Sequence, residues 1–116
     1  MARQEMPIFT RTFDMLNWLL PATNNFPRTY RHSFTQRLLD AAFDLNERLY
    51  EANLRYGRAR LERLALADEA LDKLRAYLRL AARLSWLKPG QYQHVAAMVA
   101  EIGRLLGGWR KATQTR

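Results

Sequence analysis

The chain has 116 residues, 48% of them hydrophobic, with three Trp, five Tyr and five Phe, a composition that excludes a disordered or low-complexity protein and suits one compact domain over residues 1–116. It has no cysteine, which excludes disulfides, thiolate nucleophiles and thiolate metal sites, and its apolar stretches are broken by Arg, Asp or Glu too often to form a membrane span of roughly 20 residues. Its formal net charge is +8, and all of it falls in residues 73–116, where nine Lys or Arg face Glu101 alone, whereas ten Arg and ten Asp or Glu cancel in residues 1–72.

No strand-like alternation or Asn-Gly hairpin signal occurs, and apolar residues recur three and four apart, so the chain reads as all helix. The first predicted helix, about 8–20, carries Phe9, Phe13, Leu16, Leu19 and Leu20 on one face and ends near Pro21. The stretch "PATNNFPRTYRHS" that follows has the turn chemistry of a loop. A second helix, about 32–56, sets Phe34, Leu38, Ala41, Ala42, Leu45, Leu49 and Ala52 at helical spacing, and Gly57 offers a break.

The third helix, about 58–87, has two apolar seams: Leu64, Ala67, Leu71, Leu74, Leu78 and Ala81 form one, and Leu66, Ala70, Tyr77, Leu80, Leu84 and Leu87 form the other. Together they cover more of the circumference than the roughly 100° stripe that a surface helix of a monomeric bundle uses. The second seam therefore packs inside the bundle or on another subunit, and the subunit is the favoured reading. Lys88-Pro89-Gly90 separates this helix from a fourth, about 91–112, whose apolar face holds Val95, Met98, Val99, Ile102, Leu105, Leu106 and Trp109. Four helices with short links imply an up-down-up-down bundle.

Glycine inside a helix costs about 1 kcal/mol relative to alanine, so "EIGRLLGGWRKA" needs a reason for its glycines. Gly103 and Gly107 are four apart and share a face on which another backbone or a large ring can approach closely, with Trp109 filling space beside it.

Catalysis finds little support. His32 and His94 are the two histidines, neither in metal-ligand spacing, and Ser33 and Ser85 are the two serines. Carboxylate pairs such as Asp40/Asp44, Glu47/Glu51 and Asp68/Asp72 lack the Glu-x-x-His partner of bundle metal sites. The expectation is a non-enzyme with no metal and no cofactor.

"FPRTYRHSFTQRL", "LDKLRAYLRLAARLSWLKPGQYQHV" and "EIGRLLGGWRKA" together resemble the accessory variability determinant (Avd) proteins of diversity-generating retroelements, over about residues 9–112. The superfamily also includes proteins encoded by intervening sequences in bacterial large-subunit rRNA genes. The resemblance implies a basic four-helix bundle that assembles as a barrel-like homo-pentamer. It also implies an accessory protein that binds the retroelement's reverse transcriptase and its template-repeat RNA, with DNA as a further nucleic-acid partner, to support mutagenic reverse transcription; the lack of an apolar span or secretory signal makes a cytoplasmic protein the expectation. The competing expectation is a self-assembling protein of the intervening-sequence group with no polymerase partner.

Arg75, Arg79 and Arg83, each four apart, form a stripe on the third helix; the resemblance associates the arginines of the "LRxxLR" pattern, here Arg75 and Arg79, with partner binding, and Arg83 extends the stripe. Asp68 and Asp72 lie on the same face and neutralise part of it. Arg104, Arg110 and Lys111 form a second basic cluster, and Arg28 and Arg31, beside Tyr30, a third. Arginine suits phosphate because its planar fork donates two hydrogen bonds to one group. Tyr30 itself is read as a loop anchor. Leu66, Tyr77, Leu80, Leu84 and Leu87 are the candidate oligomer interface.

Overall fold

A computed structural model describes residues 6–115, which form four helices in an antiparallel bundle of about 46 × 26 × 22 Å. Helix α1 spans Pro7–Thr23, α2 Gln36–Asn53, α3 Gly57–Arg83 and α4 Pro89–Gln114. Pro7 and Pro89 stand at helix starts, where a missing N–H is no loss, and the Lys88 N–H donates to Gln91 Oε1 at 2.9 Å ahead of α4. Helix α3 packs most extensively on α2 and then on α4, and α1 closes the bundle.

The core is a column of Leu38, Leu45 and Leu49 from α2, Leu64, Leu71, Leu74 and Leu78 from α3 and Ile102 and Leu106 from α4, sealed by Ile8, Met15 and Leu19 from α1. Thr12 and Thr113 are also buried, each donating its hydroxyl to the carbonyl four residues back, at 2.8 Å.

Several boundaries and faces differ from the sequence reading. Pro21 lies inside α1, which runs on to Thr23. Phe13 and Leu20, assigned to the inner face, are exposed. At ~100° per residue, the buried residues of α1 fill an arc of about 120° that ends at Phe9, and Phe13 and Leu20 fall just beyond that edge. The loop before α2 is itself helical, with a 3-10 turn at Arg28–Tyr30 followed by a π-helical stretch at Arg31–Thr35.

Helix α3 stops at Arg83, four residues early. Ser85 adopts φ 63°, the Trp86 N–H donates to Ala81 O at 2.9 Å and the Ser85 N–H to Ala82 O at 3.0 Å. This is a Schellman closure with serine where glycine is usual. The chain turns there, so Leu87 no longer follows the α3 spiral and enters the protomer's own core at 3% exposure. That corrects its assignment to an outer seam.

Candidate nucleic-acid and partner interface

The arginines around the turn between α2 and α3 are engaged internally. Glu51 on α2 accepts from Arg48 at 2.8 Å and from Arg63 on α3 at 3.2 Å, while its backbone carbonyl takes Arg55 at 2.8 Å. The hydrogen bond from Arg48 is the main reason that the Glu51 carboxyl is held below its ordinary pKa. Arg60 donates to Ala52 O at 2.9 Å and lies 5.4 Å over the Tyr56 ring and 5.5 Å over Trp109. These contacts tie the α2–α3 turn together.

On α3 the Arg75 guanidinium bridges to Asp72 at 2.8 Å and then lies against α4 at Gly103, where an added Cβ would collide with its Nη2. The glycine thus admits an arginine rather than a backbone or a ring. Arg79 joins Arg75 along a shallow groove of about 190 Å³ floored by Tyr92, Ala96, Val99 and Ala100 of α4. Arg83 is exposed, and neither Arg79 nor Arg83 forms an ion pair among the described residues. Asp68, expected to screen this stripe, instead pairs with Arg110 of α4 at 3.2 Å.

Arg104 pairs with Glu101 at 2.6 Å on the outside of α4, and Lys111 is exposed without an ion pair among the described residues. Gly107 and Gly108 are exposed, and a methyl group at either would meet nothing within 4 Å. The expected close approach at Gly107 is therefore absent among the described residues. Residues four apart on a helix are offset by about 40°, which carries Gly107 off the α3 contact. Trp109 is buried, edge-on to Phe9 with ring centroids 6.0 Å apart.

Arg28 and Arg31 are both exposed in the turn before α2. Between them the Tyr30 ring stacks on Trp86 at 5.2 Å with 27° between planes, which pins this loop to the turn after α3. One end of the bundle therefore carries Arg28, Arg31, Arg83 and Lys88, whereas Arg110 and Lys111 lie towards the other.

Of the second α3 seam, Leu66, Leu80 and Leu84 are 40%, 43% and 45% exposed. Tyr77 is half-buried, edge-on to Phe34 at 5.5 Å, so it serves the protomer first. At ~100° per residue the exposed leucines flank one side of the buried face of α3 and the arginine stripe flanks the other. The two outer surfaces of α3 are thus separate.

Sequence reasoning missed a cleft of about 390 Å³ between the end of α1, the Phe26–Thr35 turns and α2. It depends on local geometry at Arg31–Thr35 that no periodicity announces. Among the described residues no group of three or more His, Cys, Asp or Glu is placed to hold a metal ion, and no helix is long and apolar enough to cross a membrane.

These features define a small basic four-helix bundle with a charged edge on its longest helix. The chain belongs to the bAvd-like family, whose model matches residues 6–113. Its fold is similar to the crystal structure of a protein of unknown function from the S23 ribosomal protein family of Bacteroides thetaiotaomicron VPI-5482. That likeness has a TM-score of 0.81 at 15% identity and covers 90% of this chain and 98% of that one. No curated protein matches the chain.

Proposed function

We propose that this protein is a non-catalytic accessory subunit that binds a retroelement reverse transcriptase and its template-repeat RNA, with the α3 edge as the principal contact. The observation that carries this reading is the division of the arginines. Arg60 and Arg63 tie the start of α3 to α2, whereas Arg79 and Arg83 farther along α3 project without ion pairs among the described residues beside the Arg75 groove. Unpaired guanidinium groups on a rigid helix suit phosphate oxygens or an acidic protein surface. Membership of the bAvd-like family supports the accessory role over an enzymatic one.

The exposed line Leu66, Leu80 and Leu84 supports self-association, and a pentamer is the assembly proposed for it. Light scattering at micromolar concentration is expected to give a mass near five chains, and a monomer would refute the assembly.

The decisive experiment co-expresses the protein with a reverse transcriptase encoded beside it and measures co-purification for wild type and Arg75→Glu/Arg79→Glu. A complex that disappears in the still-helical variant is the expected result. An undiminished complex would move the contact away from α3. No complex with wild type would favour the alternative, a self-assembling protein of the rRNA intervening-sequence group, a reading that the S23-family fold likeness keeps in view.

A further inference from the structure

Phe13 and Leu20, left outside the core on α1, belong to an apolar surface that the α3 leucine line does not explain. They are 67% and 41% exposed, and Phe43 and Tyr50 on α2 are 37% and 46% exposed. The members of each pair are seven residues apart, so each pair marks one edge of its helix. The two edges adjoin. The Tyr50 ring lies 4.8 Å from that of Phe9, one turn before Phe13, and Leu20 and Phe43 wall the same cleft of about 390 Å³. Leu54, 79% exposed, stands one turn beyond Tyr50. The result is an apolar stripe along the α1–α2 groove, where a surface with no partner carries only scattered hydrophobics.

Symmetry, spacing, charge and placement each match this stripe to the leucine line of a second copy. A ring of more than two copies cannot be built from one face that meets itself, so every copy must present two different faces. Leu66 and Leu80 are fourteen residues apart, twice the seven-residue step that separates Phe13 from Leu20 and Phe43 from Tyr50. Helix edges that share this repeat pack alongside one another. Lys73 is exposed midway between Leu66 and Leu80, and Glu47 is exposed between Phe43 and Tyr50. Neither is in an ion pair among the described residues, so the middle of each surface offers the other an opposite charge. The leucine line lies on the α2 side of α3, because Arg75 and Arg79 take the α4 side. Both surfaces therefore border α2, and neighbouring faces of a four-helix bundle lie about 90° apart. A five-membered ring asks for about 108° between the two contact faces of each copy.

We infer that the α1–α2 stripe of one copy receives the α3 leucine line of the next, a head-to-tail contact that uses each surface once per chain. It rests on the proposal that the leucine line self-associates, and it supplies the second face which that assembly requires. A pair of copies leaves one stripe and one leucine line uncovered, so the contact repeats until the ring closes. The arginine groove between α3 and α4 takes no part in it and stays open to polymerase or RNA.

The test uses the full chain as wild type, Phe13→Glu and Leu80→Glu/Leu84→Glu, each checked for folding by circular dichroism and sized by light scattering at micromolar concentration. The substituted side chains are exposed in the single chain, so folding should survive. Wild type is expected to assemble, and each variant to fall to the mass of one chain. An assembled Phe13→Glu beside a monomeric Leu80→Glu/Leu84→Glu overturns this contact and leaves the leucine line standing, whereas a monomeric wild type overturns both. A Phe13→Glu that assembles but no longer co-purifies with the polymerase gives the stripe to that partner instead, which also overturns the inference. Thiol crosslinking reads the contact directly, because the chain has no cysteine. Phe13→Cys or Tyr50→Cys, co-expressed with Leu80→Cys, should be joined between chains by a short bismaleimide, with no crosslink when any one of them is treated alone. Crosslinks in Leu80→Cys alone would mean that the leucines meet each other about a two-fold axis, and that result, or no crosslink in either mixture, refutes the head-to-tail contact.

Discussion

Three interior glycines of α4, Gly103, Gly107 and Gly108, allow a worked prediction. Replacing a helix-interior glycine by alanine gains about 1 kcal/mol in helix propensity when the new methyl group meets nothing. Gly107 and Gly108 meet that condition, with no atom within 4 Å of an added Cβ. Gly107→Ala and Gly108→Ala should therefore each stabilise the bundle by about 1 kcal/mol, or about 4 °C in Tm for a domain of this size. Gly103→Ala carries the same gain but drives the Arg75 guanidinium away from α4. The obstacle is the end of a flexible side chain, and the partly exposed pair with Asp72 is worth roughly 0–1 kcal/mol, so the net effect is a gain of about 0.5 kcal/mol. Function should move the other way, because Arg75 leaves the groove it shares with Arg79, and polymerase complex yield should fall although Tm does not. Thermal unfolding by circular dichroism at several protein concentrations, with co-purification alongside, checks the set. A lowered Tm for Gly107→Ala would refute the reasoning, since it would require something to occupy the space beside that residue, and a drop that depends on concentration would identify that occupant as another copy.

Other changes are expected to be equally legible. Ser85→Gly relieves a left-handed backbone that costs a non-glycine residue about 1 kcal/mol, so it should raise Tm by about 4 °C; no change would mean that the Schellman closure is unstrained. The Glu51 carboxyl is held below its ordinary value, so its contribution is complete above the unfolded pKa and lost as pH falls through the lowered folded one. Wild type should therefore lose stability faster than Glu51→Gln on acidification through this window, and parallel acid limbs for the two proteins would rule out the Arg48–Glu51–Arg63 cluster as a source of acid sensitivity. If Arg79 and Arg83 each neutralise one RNA phosphate, Arg79→Gln/Arg83→Gln should reduce the log–log salt slope of RNA binding by about 1.4, and an unchanged slope would place the phosphates elsewhere.

The four helices and most of their inner faces were legible because burial follows the three-and-four spacing of Leu64, Ala67, Leu71, Leu74 and Leu78 and of Val95, Val99, Ile102 and Leu106. What was not legible depends on where a spiral stops. Leu87 was counted on a helix that had ended at Arg83, because no glycine marks the left-handed residue that Ser85 supplies. Phe13 looked internal because spacing gives angular order but not the width of the buried arc. The arginine stripe was visible as a pattern, yet its division of labour was not: that Asp68 serves Arg110 and that Gly103 accommodates Arg75 depends on the register of α4 against α3, which one strand of sequence does not carry. The cleft was illegible for a related reason, since one of its walls is a backbone irregularity rather than a residue type.

That irregularity has a genetic consequence. A π-turn closes over one residue more than an α-turn, so Arg31–Thr35 amounts to helix carrying a single surplus residue. Deleting one codon there, at exposed Ser33 for instance, would let the segment wind as ordinary α-helix and offer Thr35 the carbonyl that Thr12 and Thr113 already use. The hydroxyl would gain a partner without any change to Thr35 itself. In this chain the length of that short stretch, rather than the identity of its residues, then decides whether the buried hydroxyl has a partner.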